Sequence, residues 1–357
     1  MNTVRPESSA VFCLTPGGVR LARRLRAHLP QLTCFTSEKL LEPGFTAFNG
    51  GFGETLRDAF SRYSALIVVG ATGITVRVIA PLLRDKLTDP AVVVIDERGE
   101  HVISLLSGHV GGGNALTRYL ADVLGADPVI TTATDVNQMA ALDTLAQQLD
   151  AEMRDFRRAV KAVNHLLVSD GRVGLWWDAS LHEERSRCDT RGFIALESLE
   201  ALPPLDALVC VTMADALPDV LSTQCPRPTF KLVPKRVVAG IGCRRATPLP
   251  TLESLLSQQL AENHFDALAL RAIGSIDIKR DEPALLQLAQ RRRVPFELFG
   301  VDELRPHARR FPASEFVRRT VGVGSVSQPV AWLMSGGNPV GHTLRRQGVT
   351  ITLGVSH

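Results

Sequence analysis

Aromatic residues are scarce in this chain, with 14 Phe, 3 Trp and 2 Tyr among 357 residues. Its cores must therefore be built from Val, Leu, Ile and Ala. Cysteine is sparse too: Cys13, Cys34, Cys188, Cys210, Cys225 and Cys243 lie far apart. With no CxxC and no Cys/His cluster of zinc spacing, a structural zinc or redox motif is not expected. No apolar run approaches the ~18 residues that span a bilayer; Ser64–Val76, among the longest uncharged stretches, is interrupted by glycine. The segment MNTVRPESSAVF has no signal-peptide core. A GxxxxGK[ST] phosphate loop is missing, and no GxGxxG precedes an acidic residue at dinucleotide spacing. These absences predict a soluble, reduced, cytoplasmic protein with no membrane and no nucleic-acid partner.

What is present is an ordinary globular composition, 45% apolar and 22% charged, which excludes a disordered or collagen-like chain. The length suggests two to three domains. A net charge of +3 conceals an asymmetry. Residues 1–230 carry 22 basic and 27 acidic side chains (22 − 27 = −5), and residues 231–357 carry 18 and 10 (18 − 10 = +8). Of the basic residues 34 are Arg and 6 Lys. A GC-rich genome accounts for that bias; the functional alternative is that guanidinium forks grip carboxylates or phosphates bidentately.

Residues 1–137 alternate short β-rich runs with helical patterns, predicting a flavodoxin-like parallel α/β domain. Residues 138–230 predict a smaller middle region: two helices, QMAALDTLAQQLD and AEMRDFRRAVKAVNHLLV, then strands near 172–177 and 207–212. The proline-rich 224–236 predicts a linker. Residues 231–357 restart the rhythm as a basic C-terminal α/β domain.

Three loops could carry chemistry. In VVGATGITVRVIAPLLRDK, Gly70 and Gly73 permit a tight strand-to-helix turn, Thr72 offers a hydroxyl, and a helix start presents free amides to an anion. Arg77 lies one turn on and Lys86 beyond the helix; a plain βα turn explains the motif equally well. In ISLLSGHVGGGNALTRYL, Gly108, Gly111, Gly112 and Gly113 crowd around Ser107 and His109. So many glycines suggest close approach of a ligand to the backbone, with Asn114 capping the next helix and His109 titrating near neutrality. The third cluster, AGIGCRRATP with AIGSIDIKRDEPALLQLA, brings Arg244, Arg245, Lys279 and Glu282 together. Acidic residues at a helix start suit its dipole; the functional alternative has Lys279 gripping a carboxylate while Glu282 acts as acid or base. The flexible TVGVGSVSQP adds Ser325.

Together these motifs resemble the CbiG-type cobalt-precorrin-5A hydrolases of anaerobic cobalamin biosynthesis. The run from VVGATGITVRVIAPLLRDK to GADPVITTATD is similar to that family's N-terminal domain. VVAGIGCRRATP, GSIDIKRDEPALLQLA, SEFVRRTVGVGSVSQPVAWL and GVTITLGV are similar to its C-terminal domain. One departure is the turn before the last strand, lysine-rich in many relatives and GHTLRRQGVT here, where Arg345 and Arg346 could supply the charge.

The resemblance implies that water opens a ring A δ-lactone of a cobalt-containing macrocycle, and that a two-carbon fragment leaves as acetaldehyde. It implies oxyanion donors, expected at the Thr72–Gly73 and Gly111–Gly113 amides. It also implies a base, expected first at His109, then Glu282, then Asp96. Cobalt arrives with the substrate, so no metal site and no other cofactor of the protein's own is expected. The substrate's carboxylates would meet the arginines and its lactone the glycine loops. Transient contacts with other pathway enzymes and a homodimer are further expectations. The alternatives are a non-catalytic tetrapyrrole carrier and a nucleotide-phosphate binder.

Overall fold

The structure, a computed structural model, describes residues 8–356 apart from 87, 110, 222–227, 316, 317, 320 and 321. The chain divides into two compact units, residues 1–147 with 189–192, and residues 148–188 with 193–357. Sequence patterns suggest three segments, 1–137, 138–230 and 231–357; here 138–147 and 189–192 fall with the first, and the rest of the second falls with the third.

The first unit is a seven-stranded sheet of β1 (Ser9–Cys13), β2 (Thr33–Thr36), β3 (Phe45–Ala47), β4 (Ala65–Val69), β5 (Ala91–Ile95), β6 (His101–Leu106) and β7 (Asp127–Val129), in the order β3-β2-β1-β4-β5-β6-β7. SAVFC, ALIVV and AVVVI are buried along their whole length, as strands covered on both faces must be. One face packs α1 (Pro16–His28) and α4 (Gly113–Leu124), through Leu21, Leu25, Leu116 and Leu120. The other face buries Leu56 and Phe60, from α2 (Phe52–Phe60), and Ile79, from α3 (Thr72–Ile79). Truncating any of these leucines to Ala should cost about 2–5 kcal/mol. Thr15 starts α1 by accepting the Gly18 N–H at 3.1 Å, with Pro16 in the first turn. The short helices α5 (Ala133–Val136) and α6 (Leu142–Gln148) follow β7.

Strands β1 to β5 are parallel, but β6 reverses: Val92 faces Leu106 and Ile95 faces Val102. β7 then runs parallel to β6. A connection of five residues is too short for a crossover and has to make a hairpin. The loops after β6 and β7 therefore emerge where β4 and β5 begin, and the GATG loop after β4 lies at the opposite edge. Five residues of strand, about 17 Å, separate the two, so the expectation that both glycine loops front one lactone is corrected.

In the second unit, β8 (Ala151–Glu152), β9 (Val173–Trp177), β10 (Ile194–Leu196), β11 (Ala207–Val211) and β12 (Thr229–Pro234) form a sheet ordered β10-β9-β11-β12-β8. It is accompanied by α7 (Phe156–Val168) and α8 (His182–Arg185). The expected linker is in part β12, where Lys231 is accommodated by the Ala214 and Asp215 carbonyls, each at 2.8 Å, and by the Asp266 carboxylate; the rest, up to residue 227, lies outside the described residues.

A third sheet, ordered β15-β14-β13-β17-β16, comprises β13 (Val237–Cys243), β14 (Leu270–Ile276), β15 (Phe296–Phe299), β16 (Pro339–Arg346) and β17 (Val349–Val355). β13 to β15 are parallel and β16–β17 is a hairpin antiparallel to β13. Around it lie α9 (Leu249–Glu262), α10 (Pro283–Arg292), α11 (Val301–Ala308) and α12 (Ser327–Met334). Residues 314–321, whose sequence pattern reads as a helix, fall partly outside the described residues. α12 lies directly on β13: a Cβ on Gly240 would overlap the Ser327 carbonyl. That close seat brings Ser325 to the ends of β13 and β14.

Candidate active site

The expected site residues fall into separate clusters, and the glycine loop after β6 is the most tightly built. Ser107 turns at φ 54° and Gly112 at φ 79°. A Cβ on Gly111 would overlap Ser107, one on Gly113 would come within 2.8 Å of the Leu106 carbonyl oxygen, and one on Gly108 within 2.6 Å of Asn114 Oδ1. The loop's packing on itself thus demands these glycines, without any ligand. Its amides are engaged as well: Gly112, Gly113 and Asn114 donate to the carbonyls of His109, Ser107 and Gly108 at 2.8–3.0 Å. Gly112 and Gly113, expected as oxyanion donors, are already bonded. Asn114 does not cap α4; Gly112 occupies the cap. The Asn114 side chain instead joins Ser104, Thr132 and Asp135 at 2.7, 3.1 and 2.8 Å. Ser107 Oγ donates to the Asp89 carbonyl at 2.9 Å.

His109 lies between two carboxylates. Nε2 is 3.0 Å from Asp135 Oδ2 and Nδ1 is 3.5 Å from Asp143 Oδ2. Hydrogen bonds to Asp135 and then Asp143 outweigh burial and push its pKa up to about 9. The ring is therefore an imidazolium at neutral pH, not the near-neutral base expected. Thr134 Oγ1, 2.8 Å from Nε2, completes a hydroxyl–imidazole–carboxylate row with Asp143. Such a row resembles a nucleophilic triad, but with Asp135 also on Nε2 the ring keeps its proton and has no lone pair for the Thr134 hydroxyl. Burial works to raise Asp135, yet bonds from His109 and Arg118 prevail and hold it down at about 2. Arg118 reaches Asp135 Oδ1 at 2.5 Å. Two cations and two carboxylates balance, and the cluster staples the loop to α5 and α6.

At the opposite edge, the Thr72 and Gly73 amides meet no acceptor among the described residues. Arg77 is exposed one turn on. Lys86 is exposed five residues before β5 begins, so it lies at the His109 edge, away from Thr72. Asp96 closes the β5–β6 hairpin, accepting the Arg98 N–H at 2.8 Å and the His101 N–H at 2.5 Å. Burial raises its pKa, but these backbone bonds outweigh it and leave it below the ordinary value. Asp96 is thus a turn residue whose oxygens are occupied.

In the C-terminal sheet, the ends of β13 and β14 and the β16–β17 turn surround a cavity of about 720 Å³. Arg244, Arg245, Lys279, Arg345 and Arg346 line it, and no Asp or Glu among the described residues does. Arg244 and Arg245 are exposed and have no carboxylate partner among the described residues. Arg345 Nη2 donates to Gln328 Oε1 at 3.2 Å, an oxygen that also accepts the Ser325 hydroxyl at 3.2 Å. Ile278, 54% exposed, forms an apolar lip. At the hairpin turn Gly348 has φ 74°, and a Cβ there would sit 2.8 Å from Arg244 Cδ, so glycine lets the two cationic turns approach. Arg345 and Arg346 place their charge where the lysine-rich turn was expected.

Glu282 is 7% exposed and does not line this cavity. Oε1 accepts the Ala246 N–H at 3.0 Å and Oε2 lies 2.8 Å from Lys279 Nζ. Lys279 and Glu282 therefore hold each other, rather than one gripping substrate while the other moves a proton. The alternation of Asp277, Lys279 and Asp281 reads as a strand in the sequence, but Asp277–Lys279 is a 3₁₀ turn. Sequence reading missed Asp135, Asp143 and Arg118. Asp143 had a legible signal, a carboxylate on the apolar face of LDTLAQQ, where it is 2% exposed.

Family models described as cobalamin synthesis G N-terminal, cobalamin biosynthesis central region and cobalamin synthesis G C-terminus match residues 54–135, 140–228 and 237–354. A cobalt-precorrin-5A hydrolase of Salmonella typhimurium is 65% identical over 357 residues, all of both chains. Another, from Priestia megaterium, is 32% identical over 358 residues, 96% of this chain and 94% of that one. A crystal structure of a cobalamin biosynthesis protein G homolog from Sulfolobus solfataricus aligns with 99% of this chain and 100% of its own at 17% identity, with a TM-score of 0.38. On the strength of the two full-length relatives and the three matched regions, this chain belongs to the CbiG family of cobalamin biosynthesis.

Proposed function

We propose that this chain is a cobalt-precorrin-5A hydrolase, opening the ring A δ-lactone of the cobalt-corrinoid intermediate and releasing the two-carbon fragment as acetaldehyde to leave cobalt-precorrin-5B. The observation that carries this reading is 65% identity across the full length to the Salmonella enzyme of that name. The chemistry of the C-terminal cavity supports it: a corrinoid bearing several acetate and propionate carboxylates is a polyanion with apolar faces. Five cations with no acid among them suit the carboxylates, and Ile278 suits the ring. Arg244 and Arg245 offer forks not committed to any carboxylate, and Ser325 adds a hydroxyl. Among the donors expected for the oxyanion, the amides of Thr72, Gly73 and Gly111 meet no acceptor among the described residues. Cobalt belongs to the substrate, and the conjugated macrocycle can take up the electrons of carbon–carbon cleavage, so this reading needs no cofactor of the protein's own. It places the enzyme in the cytoplasm beside the pathway enzymes that supply and consume its corrinoids; no helix among the described residues is long and apolar enough to cross a membrane.

The test is incubation of purified protein with cobalt-precorrin-5A, with trapping of acetaldehyde and mass analysis of the corrinoid. Stoichiometric acetaldehyde with loss of the two-carbon fragment is expected; a substrate recovered unchanged from active-concentration enzyme would sink the reading.

A further inference from the structure

The buried carboxylate beside the cationic cavity has a role that its chemistry alone does not suggest. Glu282 stands at the start of α10, its side chain almost fully enclosed, and both oxygens are used. One accepts from the backbone of Ala246, the residue directly after Arg244 and Arg245. Ala246 has φ 56°, a left-handed conformation that a non-glycine residue holds only when its surroundings impose it. Thr247 Oγ1 closes the same turn on the Arg244 carbonyl at 2.8 Å. The other Glu282 oxygen fixes Lys279, which lines the cavity. A single carboxylate thus ties together the segments that bring three of the five cavity cations to its mouth.

We propose that Glu282 is a positioning residue for corrinoid binding: it sets the Arg244–Arg245 turn through the Ala246 amide and anchors Lys279, and it takes no proton from substrate. The proposal rests on the reading that this cavity receives the substrate's carboxylates. It separates the two contacts of Glu282, because Glu282→Gln keeps an oxygen for the Ala246 N–H and loses the ion pair, whereas Glu282→Ala loses both.

The experiment titrates a stable cobalt corrinoid with free carboxylates into the full-length protein by its visible absorbance, and measures acetaldehyde release in parallel. Glu282→Gln should bind about three- to tenfold more weakly, through release of Lys279 alone, with kcat changed by no more than about threefold. Glu282→Ala should bind about 10- to 100-fold more weakly than the unaltered protein, and the part of that loss beyond Glu282→Gln should vanish when Arg244 and Arg245 are already Ala. A kcat lowered a hundredfold or more in Glu282→Gln at unchanged affinity would make Glu282 the base and overturn the proposal. An equal loss from Glu282→Ala in both arginine backgrounds would overturn it too, since a merely structural carboxylate is not coupled to the arginines. Should Glu282→Ala not fold, Glu282→Gln and the arginine variants still decide the first outcome. Binding without acetaldehyde release from the unaltered protein would defeat the proposed reaction and leave this assignment standing; no binding at all would defeat both.

Discussion

The His109 cluster and the C-terminal cavity are both built on turns that require glycine and both gather charge, yet one is closed and the other open. Around His109 each cation faces a carboxylate, and the loop's amides are turned onto its own carbonyls. Around the cavity the four arginines have neutral partners or none, and no acid among the described residues lines the wall. A set of groups already satisfied in the free protein gains little by meeting a ligand, whereas uncommitted guanidinium forks gain charge-assisted bonds. Glycine density in a loop therefore says where a backbone is crowded, and unpartnered charge says where a ligand goes.

The sharpest way to break this contrast is charge reversal at the open site. Arg244→Glu with Arg245→Glu should weaken corrinoid binding by about 100-fold or more, since each lost contact to a carboxylate is worth roughly 1.5–3 kcal/mol. Because no acid among the described residues partners these arginines, the melting temperature should stay within a few degrees. Spectroscopic titration beside thermal unfolding measures both, and intact binding would return the basic C-terminal charge to compositional bias.

The closed site should answer the other way. His109→Asn leaves the buried Asp143 and the half-buried Asp135 without their shared cation, so it should destabilise the fold by about 3 kcal/mol while the folded fraction keeps its affinity for corrinoid. The pH dependence has a definite sign. His109 is raised from 6.5 to about 9, so its stabilising contribution is complete below pH 6.5 and lost as pH climbs through 9. The gap in unfolding free energy between the unaltered protein and His109→Asn should shrink across that window. If His109 were instead the base, activity would rise steeply toward pH 9 while stability stayed flat.

Much of this molecule was legible beforehand, and what was not has physical causes. Ala65–Val69 and Ala91–Ile95 are legible as strands because continuous β-branched runs have few other uses. The reversal at β6 departs from the parallel sheet the alternation predicts, although a connection as short as residues 96–100 implies a hairpin. The staple around His109 was illegible for a different reason. Asp135 and Asp143 lie 26 and 34 residues further along, and no local spacing announces a tertiary ion cluster. Arg244 and Arg245 were legible as a pair, but their grouping with Arg345 and Arg346 depends on an antiparallel β13–β17 register.

The glycines that the closed loop demands give a smaller effect. Gly111→Ala puts a methyl into Ser107 and should cost about 1–3 kcal/mol by overpacking, seen as a lowered melting temperature. Corrinoid affinity of the folded protein should not change. A variant that folds normally but loses affinity would mean that the loop's crowding serves a ligand after all.

Asp96 provides the smallest effect and the cleanest separation of a turn from a catalyst. Its carboxylate receives two backbone N–H groups across a hairpin of five residues, so Asp96→Asn, which keeps one acceptor, should cost about 1 kcal/mol or less. A general base at that position would show a quite different ratio, with acetaldehyde release falling by about 10²–10⁴-fold and stability hardly moving. Unfolding and turnover measured on the same preparation therefore separate the two roles. The lowered pKa of Asp96 supports the turn, because the backbone bonds that depress it make the carboxylate a weaker base and occupy the oxygens a water would need.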